Sequence, residues 1–246
     1  MFSKIANDSL IKKLTSYAVD LKKEVFVVGG AVRDLLLGAV RQTKDLDIDI
    51  ASTLNIEEIV RFATMNNIKH EIKNKKLQVV ALFYENNCYE IARLRREEYS
   101  SKFTHTPDKV LFTEDVTEDA KRRDFTANSV YYVTHSNEII DPFAGVKDIK
   151  EKRLRTVLKP EDTLSVDPAR IIRMVELSAR FDFKIDKETL SVAKMYADNV
   201  NKLSKPRLKK ELERLYQSNK YMGENELEYF NRVNNLINNK LGLVIN

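Results

Sequence analysis

Cysteine, tryptophan, histidine, proline and glycine are all scarce in this 246-residue chain, with one Cys, no Trp, three His, five Pro and six Gly. The lone Cys88 excludes a disulfide framework, and a reducing cytoplasm is the expected setting. His70, His105 and His135 lie far apart in sequence and near no cysteine, which argues against zinc chemistry. No apolar run approaches the ~18 residues of a membrane span. No signal-peptide core follows Met1-Phe2-Ser3-Lys4, so neither membrane nor secretory path is expected. With 43% hydrophobic and 32% charged residues, the chain is not disordered and holds enough apolar side chains for a core without staples. The length allows one large domain or two small ones.

What is present is charge, unevenly placed. Residues 1–146 carry 21 Lys+Arg against 22 Asp+Glu, and residues 147–246 carry 21 against 15, so the net +5 resides in the second part. A basic second half fits a polyanion held through phosphate contacts. A solvated lysine-rich helical face accounts for the charge equally well.

Apolar spacing predicts a helix over 3–23, a strand at Val25-Phe26-Val27-Val28 and a helix over 31–37. A strand is expected over 45–50, a helix over 56–66, strands at 77–84 and 88–94, and a loop over 97–109. A short strand at 110–112 and a helix beginning at 117 follow. Beyond 147 only helical patterns remain, over 161–180, 186–200, 204–218 and 224–240.

Asp45, Asp47 and Asp49 alternate with Leu46, Ile48 and Ile50, so three carboxylates share one face of the expected strand. Aspartate is a poor strand former and like charges repel, so the arrangement calls for a compensating cation. A hard divalent ion takes such oxygen ligands together with substrate phosphates. The alternative is an exposed edge strand charged against edge pairing. Just upstream, Gly29-Gly30 joins a strand to a helix whose first N–H groups suit a phosphate, with Arg33 adding a charged fork. Glu90 is a lone carboxylate on an otherwise apolar strand. It reads either as a third acidic group or as a surface partner of Arg93 or Arg95.

Five ordered segments together resemble the class II CCA-adding enzymes, the tRNA nucleotidyltransferases that share a family with bacterial poly(A) polymerases. They are Gly29 to Gly38 followed by Asp-x-Asp, Arg122 to Asn128, Asp141 to Gly145, Asp167 to Arg173, and Leu203 to Leu208. The resemblance implies an α+β fold with a polymerase-β-like nucleotidyltransferase head and a mixed sheet over 1–146. An all-α neck over 147–203 with the nucleotide-selecting segment follows, then a short helical, RNA-binding body over 204–246. It implies Mg²⁺ on Asp47 and Asp49, with Asp45 the alternative, because counting from Gly38 favours Asp45/Asp47 and counting back from Ile50 favours Asp47/Asp49. Glu90 completes the acidic site. Gly29, Gly30 and Arg33 meet the triphosphate, and Arg123, Asp124 and Asn128 the nucleotide. Asp167, Arg170 and Arg173 belong to the nucleotide site, and Lys202, Lys205, Arg207, Lys209 and Lys210 hold RNA phosphates.

On a continuous helix Asp167 and Arg170 share a face. An acceptor beside a donor matches both cytosine and adenine, whose pairing edges set an amino group beside a ring nitrogen; uracil and guanine reverse that order. Val166 stands where the family has Glu, and Glu176 where a third Arg often follows. The loop from Glu98 to Val110 keeps Pro107-Asp108 and a length like that of full CCA adders. The expected function is addition of CMP and AMP from CTP and ATP to the tRNA 3′ end. A CC-only or A-only adder, a poly(A) polymerase and a non-catalytic RNA-binding protein are the rivals. The length is short for this family, so a shortened body is expected.

Overall fold

The computed structural model describes residues 2–39, 48–100, 103, 106–218 and 225–244. Contacts divide the chain into two compact units. The first comprises Met1–Glu97, Lys109–Arg123 and Ala127–Ile149, and the second Glu98–Asp108, Asp124–Thr126 and Lys150–Asn246.

The first unit begins with α1 (Ser3–Ala6) and α2 (Ser9–Asp20). The expected single helix is split because the Asp8 side chain accepts the Ile11 N–H and caps α2. Next come β1 (Val25–Val28), α3 (Gly30–Leu36), β2 (Asp49–Ser52) and α4 (Ile56–Met65), the last opened by a capping box between Asn55 and Glu58. Then follow β3 (Lys69–Asn74), β4 (Val79–Tyr84), β5 (Asn87–Arg93), β6 (Arg95–Glu98), β7 (Lys109–Phe112) and α5 (Val116–Lys121), which Asp115 caps. A 3₁₀ turn at Thr126–Asn128, β8 (Tyr131–Val133), β9 (Ile139–Ile140) and α6 (Gly145–Lys150) complete the series.

Seven strands form one sheet in the order β3-β4-β5-β2-β1-β8-β9. Only β2 and β5 run parallel within it, so the sheet is mixed as expected. β1 sits between β2 and β8 and all four of its residues are buried. Phe26 and Val28 share a cluster with Ala51, Leu94, Tyr131 and Val133 of neighbouring segments and with Val116 and Ala120 of α5. α2 packs on β1 and α4 on β3 and β4, with the Tyr17 and Phe62 rings joining α2 to α4 at 5.3 Å. β3 was not expected, because its pattern is almost wholly exposed and shows no apolar alternation.

The second unit is mainly helical: α7 (Pro160–Leu164), α8 (Ala169–Phe181), α9 (Lys187–Tyr196), a 3₁₀ segment at Ala197–Lys202, α10 (Lys205–Gln217), α11 (Glu226–Asn234) and a π-helical turn at Asn235–Leu241. Two departures from expectation stand out. Strand structure persists past 147 in the short parallel pair β10 (Arg153–Leu154) and β11 (Lys184–Ile185). The helix expected over 161–180 is broken at Asp167-Pro168, since proline disfavours helical backbone at the residue before it. α8 is the most buried helix and packs against α10 and α11. Among the described residues no helix is long and apolar enough to cross a membrane.

Candidate active site

In the first unit, sheet register brings the expected acidic residues together. Asp49 opens β2 directly opposite Glu90 of β5 in a parallel pair and opposite Val28 of β1, so the two carboxylates stand side by side on one face. Both are exposed. Arg93 and Arg95, the alternative partners for Glu90, are engaged elsewhere: Arg93 with Gln78 at 3.1 Å and over the Phe112 ring, Arg95 with Glu97 at 2.8 Å. Asp45 and Asp47 lie outside the described residues, and the expected strand is described only from Asp49 onward.

Gly29 links β1 to α3 at φ +77° and ψ −134°, a conformation open essentially to glycine alone. Asp49 Oδ2 lies 3.5 Å from where a Cβ on Gly29 would sit, so the turn runs beside the acidic strand end. Arg33, one turn into α3, is buried, not a solvated fork. Its guanidinium bonds Asp34 at 2.6 Å and donates to Asn128 Oδ1 at 2.5 Å, joining two residues expected at the nucleotide.

Arg123 donates from Nε to the Tyr131 hydroxyl at 2.8 Å and from Nη2 to Asp119 Oδ2 at 3.2 Å, with its guanidinium over the Tyr131 ring. Asp119 has no exposed surface and also accepts from Tyr131 Oη at 2.7 Å, Arg122 Nε at 2.9 Å and the Arg95 N–H at 3.1 Å. Burial alone would raise this carboxyl, but the Arg122 and Arg123 charges and these donors hold it far below the usual carboxylate range. Burial opposes the Arg123 charge, but Tyr131 and Asp119, and to a smaller extent Asp49, outweigh it and hold the guanidinium protonated. The organising role of Asp119 escaped the sequence reading. Its signal was the helical spacing of three and four to Arg122 and Arg123.

A second cluster lies in the helical unit. Asp124 accepts the Phe125 N–H on Oδ1 and Arg173 Nη1 on Oδ2 at 3.0 Å. Arg173 Nη2 reaches Asp167 Oδ2 at 3.1 Å, so this guanidinium bridges two buried aspartates. Asp167 lies just outside α8: its Oδ1 accepts the Ala169 N–H and its carbonyl accepts the Arg170 N–H at 3.0 Å, so it stands one turn before Arg170 although the helix does not run through it. Arg170 is buried and donates to the Thr163 carbonyl at 3.2 Å. Burial lowers its pKa, opposed by Asp124 and Asp167.

The five cations assigned to RNA divide. Lys202, Lys205, Lys209 and Lys210 are exposed, with Lys202 above the Phe103 ring. Arg207 instead turns to Asp167 Oδ2 at 2.6 Å. Glu176 is buried against Arg214 at 3.1 Å and Ser218 at 2.9 Å, a bond set joining α8 to α10.

An acidic strand end beside a strand–glycine–helix turn on a mixed sheet, followed by helices, defines a nucleotidyltransferase head. Residues 25–155 match the poly A polymerase head domain and 182–222 a probable RNA- and SrmB-binding site of polymerase A. The chain belongs to the poly A polymerase head family. It is 36% identical over 192 residues to a CCA-adding enzyme of Leuconostoc citreum, covering 78% of this chain and 45% of that protein. The CCA-adding enzyme of Bacillus stearothermophilus, solved with CTP, superposes with a TM-score of 0.75 at 25% identity, covering 95% of this chain and 53% of that one. The Thermotoga maritima CCA-adding enzyme complexed with tRNA gives 0.70 at 28%, covering 93% and 51%. The chain therefore spans about half the length of the relatives it matches.

Proposed function

We propose that this chain carries the catalytic part of a CCA-adding tRNA nucleotidyltransferase, transferring CMP and AMP from CTP and ATP to a tRNA 3′-hydroxyl with release of pyrophosphate. The observation carrying the reading is the in-register pair Asp49 and Glu90 beside the Gly29 turn. The similarity to CCA-adding enzymes supports its substrate assignment. We assign 1–146 as head, 147–203 as neck and 204–246 as body, with the cytoplasm as compartment.

Enzymes of this family use divalent metals. The donor set fits one: two exposed carboxylates on one sheet face are hard oxygen ligands of the kind Mg²⁺ takes. Asp49 and Asp47 would hold Mg²⁺, with Asp45 the alternative to Asp49 in that pair and Glu90 completing the acidic site. The metal would supply charge neutralisation at the attacking and leaving oxygens. Gly29 and Gly30 offer backbone N–H groups to the triphosphate, and Arg33, fixed by Asp34 and Asn128, sets its positive charge beside them. Arg123, held against Tyr131 by Asp119, contributes a preorganised donor for the nucleotide. Arg173 does the same for Asp124 and Asp167 in the helical unit.

Base choice rests on Asp167 as acceptor and Arg170 as donor. Cytosine and adenine satisfy both. Uracil and guanine leave the pair mismatched, at roughly 1–3 kcal/mol for each buried group unpaired. Lys202, Lys205, Lys209 and Lys210 carry the RNA phosphates.

The test is incubation with tRNA lacking its 3′ end, Mg²⁺ and CTP, ATP or both, with products read at single-nucleotide resolution. Stepwise C, C and A is expected. Addition of C alone or A alone would place the chain among the partial adders. Long A tails would make it a poly(A) polymerase, and no extension under any condition would leave an RNA-binding protein.

A further inference from the structure

The basic residues of α10 do not act alike. Lys205, Lys209 and Lys210 are exposed, whereas Arg207 is half-buried and its Nη2 lies 2.6 Å from Asp167 Oδ2, the shortest ion pair of that cluster. The terminal torsion of an aspartate is broad, so one bond does not fix the plane of its carboxylate. Asp167 Oδ1 has the Ala169 N–H, while Oδ2 receives Arg173 and Arg207 together. Arg173 is shared with Asp124, whereas Arg207 brings its guanidinium to Asp167 alone among the described residues. Farther along the same helix, Arg214 and Ser218 bond Glu176 of α8, so α10 is braced along its length and presents Arg207 at a set height.

We propose that Arg207 is a positioning residue for base selection: it fixes the Asp167 carboxylate so that its free lone pairs meet the amino group of cytosine or adenine. This rests on the base-reading role proposed above for Asp167. It replaces the assignment of Arg207 to an RNA phosphate. A planar guanidinium bond at 2.6 Å is charge-assisted and orients its acceptor, which a lysine ammonium does less well.

The experiment is equilibrium binding of CTP and UTP, with Mg²⁺ and without RNA, to the full chain and to Arg207→Ala and Arg207→Lys, alongside tRNA affinity as a function of salt. Arg207→Ala is expected to reduce the CTP-over-UTP preference about tenfold, with Arg207→Lys between it and the parent. The slope of tRNA affinity against salt is expected to stay unchanged. An unchanged nucleotide preference with a shallower salt slope would make Arg207 a phosphate contact and overturn the inference. If Arg207→Ala does not fold, Arg207→Lys decides: it keeps the charge and loses the planar guanidinium, and a parental preference sinks the idea. A parent chain that binds CTP and UTP alike overturns the base-reading role itself, and this inference with it.

Discussion

Gly29 and Asp119 are single residues on which the geometry of the head depends, for opposite physical reasons. At Gly29 the requirement is backbone: φ +77° and ψ −134° strain any side-chain-bearing residue, while an added Cβ would meet Asp49 Oδ2 only at an ordinary 3.5 Å. Gly29→Ala should therefore destabilise by about 1–3 kcal/mol through strain. Gly30→Ala, at a position without positive φ and with Arg33 Nη2 at 3.5 Å, should be near neutral in the same urea melts. At Asp119 the requirement is charge. Its folded pKa lies below the unfolded value of about 3.9, so its contribution is complete above that value and is lost as pH falls through the folded pKa. Asp119→Asn should lower stability at pH 7 by about 3–5 kcal/mol, the cost of leaving buried cations unmatched. The gap to the parent should narrow in melts taken below pH 4; a gap constant with pH would show that the carboxylate charge is not what matters. Arg123 loses its anchor in the same variant, so nucleotide affinity should fall as well.

At the scale of elements, what the sequence disclosed depended on whether local signals and tertiary packing agreed. β1, β4 and β5 were legible because apolar side chains mark buried strands, and α4 because its capping box and amphipathic spacing coincide. β3 was not, since its pairing with β4 is recorded in backbone bonds that polar Lys69-His70-Glu71 does not advertise. The break before α8 was readable in principle from Asp167-Pro168, yet the helical periodicity across it was the stronger pattern. The side-chain partners of Asp167, Arg173 and Arg207, lie six and forty residues away and were not read. Long-range partners have no local signature, and this is why the residue types of the cluster were legible and its wiring was not. Glu176 belongs to the same class. It stands where the resemblance places a third arginine, and it is a buried brace between α8 and α10. Glu176→Ala should cost about 1–3 kcal/mol, mostly through loss of the buried Ser218 bond, because the Arg214 side chain is half exposed and its charge stays solvated. Hydrogen exchange should show α10 opening more readily, with the β-sheet amides unaffected; uniform loss of protection would refute a local brace.

For the whole chain, the charge asymmetry of the sequence becomes a statement about RNA only through the exposed lysines that remain once internal ion pairs are removed. The basic excess after residue 146 counts Arg173, Arg207 and Arg214, and all three are bonded to acidic groups of their own unit. Arg173 and Arg207 are committed to those partners, whereas Arg214 bonds Glu176 through Nε and keeps half of its side chain exposed. Lys202, Lys205, Lys209 and Lys210 are exposed, and of these Lys209 faces Glu213 only at 3.9 Å. Each lysine that neutralises a phosphate adds roughly 0.7–0.9 to the slope of log affinity against log salt. The Lys205→Ala/Lys210→Ala double variant should therefore reduce that slope by about 1.4–1.8 if both touch RNA. CTP affinity measured without RNA should not change, because among the described residues neither lysine bonds the Asp167 cluster. A slope equal to that of the parent would return these lysines to the solvated helical face, and the phosphate grip would have to come from other cations of the chain.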